Sequence, residues 1–208
     1  MQEAKEFPKM REIYGSLVFD QKAMKQRLPR DVYENLVGAI EGRQKLDSGI
    51  ADTVALAMKD WAVSKGASHW AHWFHPLTEL TAEKHTAFVT ADDNGFPLES
   101  FRGQDLMQSE PDASSFPSGG TRSTFEARGY SAWDPTSPAF IIKSPKGGTL
   151  CIPSVFLAYD GTPLDLKTYL LRSMEAVESR ALKMLKLFGN RGVRYVRATV
   201  GGEQEFFL

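Results

Sequence analysis

Apolar positions recur at two different periods along the chain, and the change comes near residue 67. Before that point the spacing is helical. Pro29-Arg30-Asp31 opens a segment in which Val32, Leu36, Val37 and Ile40 share one face, as an amphipathic helix requires. Proline suits a first helical turn, where its missing N–H is no loss, and Gly42 weakens the far end. Asp47 or Ser48 can cap a second helix, along which Ile50, Val54, Leu56, Ala57 and Trp61 repeat at helical spacing. Gly66 then offers a left-handed stop.

From Ser68 the pattern is that of short strands. Trp70, His72 and Phe74 fall on one face of an extended segment, with His69, Ala71, Trp73 and His75 on the other. Residues 86–90 and 96–102 flank Asp92-Asp93-Asn94-Gly95, a hairpin turn signal. Residues 138–143 and 149–157 flank a second turn, Ser144-Pro145-Lys146-Gly147-Gly148. The polar, glycine- and proline-rich stretch over 103–138 reads as one long connection, of the kind that is usually functional or disordered. Its aromatic residues favour order. Asp160-Gly161-Thr162-Pro163 reads as a linker. A long helix is predicted from about Asp165 to Phe188, with Leu170, Met174, Val177, Ala181, Met184, Leu185 and Phe188 as its apolar stripe and Gly189-Asn190 as its end. Residues 193–199 alternate like a strand, and an acidic strand is predicted to follow Gly201-Gly202. The class is therefore α+β.

Composition narrows the function classes. Hydrophobic residues are 42% and charged residues 25%, a globular balance that argues against disorder. With 25 basic and 26 acidic residues, the chain lacks the electrostatic footprint of a non-specific nucleic-acid binder. No apolar run approaches the roughly 20 residues that span a bilayer, and no secretory leader is evident at Met1. The one cysteine, Cys151, cannot form an internal disulfide, so a reducing, cytoplasmic setting is expected.

Three constellations could carry chemistry. His69, His72 and His75, with His85 nearby, are spaced as zinc ligands would be on a helix. The tryptophans and phenylalanine between them favour a strand, which sends His72 to the opposite face, so packed or hydrogen-bonded histidines are the better reading. The loop Glu110-Pro111-Asp112-Ala113-Ser114-Ser115-Phe116-Pro117-Ser118-Gly119-Gly120 sets a carboxylate beside hydroxyls and glycines, which suits a small cation or polar ligand and equally suits simple Asx and serine turns. Finally, Glu203 and Glu205 on a strand would face the same side, roughly 6–7 Å apart at Cα. Such a pair repels unless protonated or bridged by cations, and all-oxygen ligation suits Mg²⁺ or Mn²⁺.

Taken together, these blocks resemble the N-terminal part of a type III glutamine synthetase. The resemblance runs through Arg27-Leu28-Pro29-Arg30-Asp31-Val32-Tyr33, His72-Trp73-Phe74-His75-Pro76-Leu77-Thr78 and the loop from Glu110 to Gly120 with its continuation to Tyr130. Ala132-Trp133-Asp134-Pro135, Leu187-Phe188-Gly189-Asn190 and the segment from Thr199 to Leu208 extend it. The resemblance implies a helical region over 1–66, a β-grasp domain over 67–159 and the start of a catalytic domain over 160–208. It also implies an enzyme that makes glutamine from glutamate and ammonia, using ATP and Mg²⁺ or Mn²⁺ through a γ-glutamyl phosphate.

By the same resemblance, Glu203 matches a ligand of the ATP-side metal and Glu205 a ligand of the metal near substrate glutamate. Asp112 matches the aspartate that helps bind and deprotonate ammonium, with Ser115 beside it. That loop serves a neighbouring subunit's site in this family, which implies a homo-oligomeric ring. The remaining metal ligands, the ATP-binding groups and the phosphate-binding arginines have no counterpart in these 208 residues. The chain alone is therefore expected to be inactive, and its length to mark a break point. The alternative is a non-catalytic assembly module that docks on full-length subunits.

Overall fold

The computed structural model describes residues 9–77, 81–111, 129–145, 147–203 and 205. It divides into two units, one reaching Asp165 and the other beginning at Leu166.

In the first unit, helices α1 (Met10–Ile13), α2 (Gln21–Arg27), α3 (Arg30–Ile40) and α4 (Ala51–Ser64) precede the sheet. Pro29 stands at the N-cap of α3, as its missing N–H suggests, and Gly42 leaves the helix at φ +70°. Asp47 does cap, but it caps a short 3₁₀ turn, Ser48–Ile50, by accepting from the Gly49 N–H; α4 begins only at Ala51. Gly66 takes φ +88°, the left-handed stop expected of it.

The sheet is mixed. Strands β1 (Ala67–Trp73), β2 (Thr86–Ala87), β5 (Gln108–Ser109), β6 (Tyr130–Trp133), β7 (Phe140–Ser144) and β8 (Gly147–Leu157) form it, while β3 (Val89–Ala91) and β4 (Pro97–Glu99) make a separate two-stranded hairpin. The spatial order is β2-β1-β8-β6-β5, with β7 also on β8. β1 and β8 run parallel, pairing Trp70 with Leu150 and His72 with Ile152. β7 and β6 pair antiparallel with successive stretches of β8. The Asp92 turn closes as expected: its carboxylate accepts from the Asn94 and Phe96 N–H groups, and Gly95 sits at φ +82°.

The main core joins helices to sheet. Met24, Leu36, Val54, Met58, Trp61 and Phe19 pack with Trp70, Ile141, Leu150 and Ile152. Each large apolar side chain fully removed from water contributes about 1.5–3 kcal/mol. A smaller cluster holds Phe74, Ala82, Phe156 and Leu164.

Three expectations are corrected. The stretch over 103–138 is not one connection, because helix α5 (Gly103–Met107), β5 and β6 are built from it. Its apolar residues Leu106 and Trp133 are buried in the main core, which rewards folding of a segment whose composition reads as loop. Nor is 160–163 a linker. The Ala158 N–H donates to the Thr162 carbonyl, Leu157 bridges Pro163, and Leu164 returns beneath Phe156, so these residues form a tight turn.

The third correction lies in the second unit. Its helix α6 (Leu166–Leu187) matches the expected span, and Gly189 at φ +83° ends it, the Gly189 N–H donating to the Lys186 carbonyl and the Asn190 N–H to the Leu185 carbonyl. The expected stripe is largely exposed there: Leu170, Val177, Met184 and Phe188 all have more than half their surface in water. Residues 191–203 form no strand. Alternation alone cannot hold a strand, since its N–H and C=O groups need a ladder partner, and none pairs with these residues among the described ones.

Candidate functional site

The chain on either side of residues 112–128 is held by several independent contacts. β5 and β6 pair just before and after them, Ser109 opposite Ser131 and Gln108 opposite Ala132. Pro111 and Gly129 are both buried. A side chain at Gly129 would run into the Leu157 carbonyl of β8, so only glycine lets the returning chain lie this close. On the other side, the Tyr159 hydroxyl donates to Glu110 at 3.4 Å, and the Tyr159 ring lies against Tyr130, with centroids 6.3 Å apart.

Beneath β5 and β6 sits His72, buried to 4% exposure. Its Nε2 lies 3.0 Å from the Asp105 carbonyl in α5, which can only accept, so Nε2 carries the proton. Nδ1 is then an acceptor, with the hydroxyls of Ser131 at 2.9 Å and Ser154 at 3.0 Å. Ser131 also lies within donating distance (3.1 Å) of the Ser109 carbonyl, and Ser154 within 2.9 Å of the Ile152 carbonyl. One imidazole thereby joins β1, β6, β8 and α5. Loss of water drives its pKa from 6.5 down to about 4, against weaker opposing help from the Asp105 and Leu106 backbone.

Two of the other histidines are engaged elsewhere. His69 meets Ser68 at 2.9 Å, while His85 meets Thr149 at 2.9 Å and Glu83 at 3.0 Å. No group of three or more His, Cys, Asp or Glu capable of holding a metal is present among the described residues. His69 and His72 lie on β1, the strand that their aromatic neighbours indicated.

Of the residues singled out in sequence, Asp112 and Ser115 lie outside the described residues. Glu203 and Glu205 are described and exposed, on a segment without regular structure. Two exposed carboxylates offer at most four oxygens, fewer than the six a Mg²⁺ or Mn²⁺ site takes. These residues do not by themselves fit a complete metal site, and no chemical step is assigned to one.

Relatives now decide the family. A model described as glutamine synthetase type III N terminal matches residues 10–173. The chain belongs to this family. It is 46% identical over 200 residues to a glutamine synthetase of Bacteroides fragilis (strain YCH46), and 46% identical over 203 residues to the type-3 glutamine synthetase of Dictyostelium discoideum. Both alignments cover 96% of this chain and 27% of the relative. A glutamine synthetase of Butyrivibrio fibrisolvens is 34% identical over 204 residues, again across 27% of its length. The type III match takes in α1 to β8 and the first turns of α6.

His72 was legible in sequence only as part of a metal-like trio. Ser131, Ser154 and Tyr159 carried no signal there, because the partners that link them across the fold are 22 to 82 residues away along the chain and short hydroxyl residues occur everywhere.

Proposed function

We propose that this chain supplies the N-terminal part of a glutamine synthetase subunit, which joins ammonia to glutamate with ATP through a γ-glutamyl phosphate. The observation that carries this reading is the 46% identity with two named synthetases across 96% of the chain. Residues 67–159 serve as the β-grasp domain and those from 160 as the start of the catalytic domain. Asp112, with Ser115 beside it, binds and deprotonates ammonium; Glu203 and Glu205 contribute two of the oxygens around the catalytic Mg²⁺ or Mn²⁺. When bound, such ions neutralise charge on the transferring phosphoryl group. The subunits assemble as a ring in which the Asp112 loop serves a neighbouring site, in the cytoplasm. None of the described helices is long and apolar enough to cross a membrane.

The test is formation of γ-glutamyl hydroxamate from glutamate, hydroxylamine and ATP with Mn²⁺. A complete subunit containing this sequence should form it, and Glu203→Ala/Glu205→Ala should abolish it. The 208-residue chain alone should form none, since the carboxylates present fall short of a metal site. Hydroxamate production by the isolated chain above its double variant refutes the incomplete-site reading.

The exposed stripe of α6 favours a second reading, in which the chain docks on full-length subunits without catalysing anything. Co-elution of the isolated chain with complete subunits, without any gain in turnover, distinguishes it.

A further inference from the structure

Around the neutral His72 ring, the hydroxyl protons are fewer than the acceptors they can reach. With the Nε2 proton given to the Asp105 carbonyl, Nδ1 offers one lone pair, and the hydroxyl oxygens of Ser131 and Ser154 lie 2.9 and 3.0 Å from it. Each hydroxyl also has a carbonyl in reach, Ser109 at 3.1 Å from Ser131 and Ile152 at 2.9 Å from Ser154. A hydroxyl carries one proton. If Ser131 donates to Nδ1, Ser154 serves Ile152 and the Ser109 carbonyl receives no hydroxyl proton. If Ser154 donates to Nδ1, Ser131 serves Ser109 and Ile152 receives none. The distances are nearly equal, so both arrangements are open.

A second proton on the ring matches every donor to an acceptor. The Nδ1 proton then goes to one of the two hydroxyl oxygens, which keeps a lone pair for it, and both hydroxyls are free to donate to their carbonyls. No backbone atom has to move, because each partner already stands at hydrogen-bond distance. On α5, the Asp105 carboxylate favours the charged ring, and it is paired with Arg102 at 3.2 Å. The titratable residues of β1, β6 and β8 are His69, Tyr130 and Cys151, which alternate to the faces opposite His72, Ser131 and Ser154. Trp70 lies edge-on to the ring, with centroids 6.0 Å apart. Burial is the largest influence and resists the proton, so uptake waits for pH near 4.

We infer that His72, Ser131 and Ser154 form a proton-operated hydroxyl relay: one proton taken from solvent at Nδ1, within the folded sheet, returns both hydroxyls to the Ser109 and Ile152 carbonyls. The relay links the charge of a buried ring to the hold on β5, the edge strand. In the charged form β5 always has the side-chain bond from Ser131, which the neutral form gives up whenever Ser131 serves the ring.

The experiment titrates the 208-residue chain, labelled at its histidine ring nitrogens, from neutral pH into acid by NMR, with tryptophan fluorescence recorded alongside. His72→Gln identifies the His72 signals by their loss. At neutral pH the ring should carry its proton on Nε2 alone, and in acid both nitrogens should be protonated while fluorescence stays native. A doubly protonated ring seen only with the unfolded spectrum overturns the relay, as does a neutral ring protonated on Nδ1. Ser131→Ala or Ser154→Ala leaves the other oxygen to accept the Nδ1 proton, so each should lower the titration midpoint by less than about half a pH unit. Ser131→Ala/Ser154→Ala removes both acceptors and should lower it by about one pH unit or more. A single variant that lowers the midpoint as far as the double one shows that the hydroxyls are not interchangeable, and the relay falls. The parent's own titration decides the matter should the double variant fail to fold.

Discussion

The Gly103 N–H donates to Asp52 Oδ1 at 2.6 Å, fastening the start of α5 to the first turn of α4 across 51 residues of chain. A Cβ at Gly103 would come within 2.6 Å of the Asp52 nitrogen and 2.8 Å of Ala51, backbone and Cβ atoms of a helix start that cannot give way cheaply. Gly103→Ala should therefore destabilise the fold by about 1–3 kcal/mol through overpacking. Asp52→Ala should cost a similar amount by leaving a buried N–H unpaired. Urea midpoints check both, and a Gly103→Ala midpoint equal to the parent's would show the approach to be looser than described.

Stability should depend on pH through His72. The unfolded chain takes up its proton near pH 6.5, while the buried folded imidazole resists until about 4. Between those values the unfolded state binds more protons, so stability is full above the window and falls as pH drops through it. The span corresponds to about 3 kcal/mol. Chemical unfolding above and within the window, in the parent and in His72→Gln, should show a shallower acid slope for the variant. Parallel slopes would assign the acid sensitivity to other groups.

Cys151 offers a clean probe of opening, since it is the chain's single cysteine and is fully buried in β8. Burial pushes its thiol up to about 12, which leaves a thiolate fraction on the order of 10⁻⁴ at mildly alkaline pH. Labelling by a disulfide reagent should be slow in the folded protein and rise with urea in step with loss of tryptophan fluorescence. Rapid labelling without denaturant would contradict the burial of β8.

Lys59 is a nearly buried ammonium, 2.7 Å from Glu99 and 3.2 Å from Asp60. The hydrogen bond to Glu99 raises its pKa despite the opposing loss of water. Glu99 is itself more than half exposed, so Glu99→Ala should cost only about 1 kcal/mol, and less in high salt. Lys59→Met, which keeps the stem and discards the charge, should fall within about 1 kcal/mol of the parent. A loss of several kcal/mol from Glu99→Ala would mean that the pair is better shielded than its exposure indicates.

What could be read in the sequence was what is local. Val32, Leu36 and Val37 define α3 within a dozen residues, and Asp92 with Gly95 defines a turn within four. Their determinants sit beside them. Leu106 and Trp133, by contrast, look like stray apolar residues in a polar stretch until the main core is seen to need them, and α5, β5 and β6 go unread for that reason. Residues 193–199 fail in the opposite sense. Their alternation is genuine, but a strand is a property of two segments, and none of the described residues pairs with these. Asp112 and the Glu203/Glu205 pair stand out in the sequence as motifs, whereas the contacts around β5 and β6 do not, since His72, Ser131 and Ser154 meet only through the sheet.

The position of β8 bears on how the molecule comes into being. This strand is the common partner of β1, β6 and β7, and its parallel bond to β1 closes a circuit from residues 67–73 to residues 148–153. Contacts so distant along the chain must pay their closure entropy before they return anything. During synthesis the helices and β1 emerge well before β8, with the faces of Met58, Trp61 and Trp70 still open to water. A nascent chain stopped before Gly147 would hold most of the core's side chains and lack the strand that organises them. Such a chain should be captured by chaperones or aggregate, and the domain should fold only once β8 has cleared the ribosome.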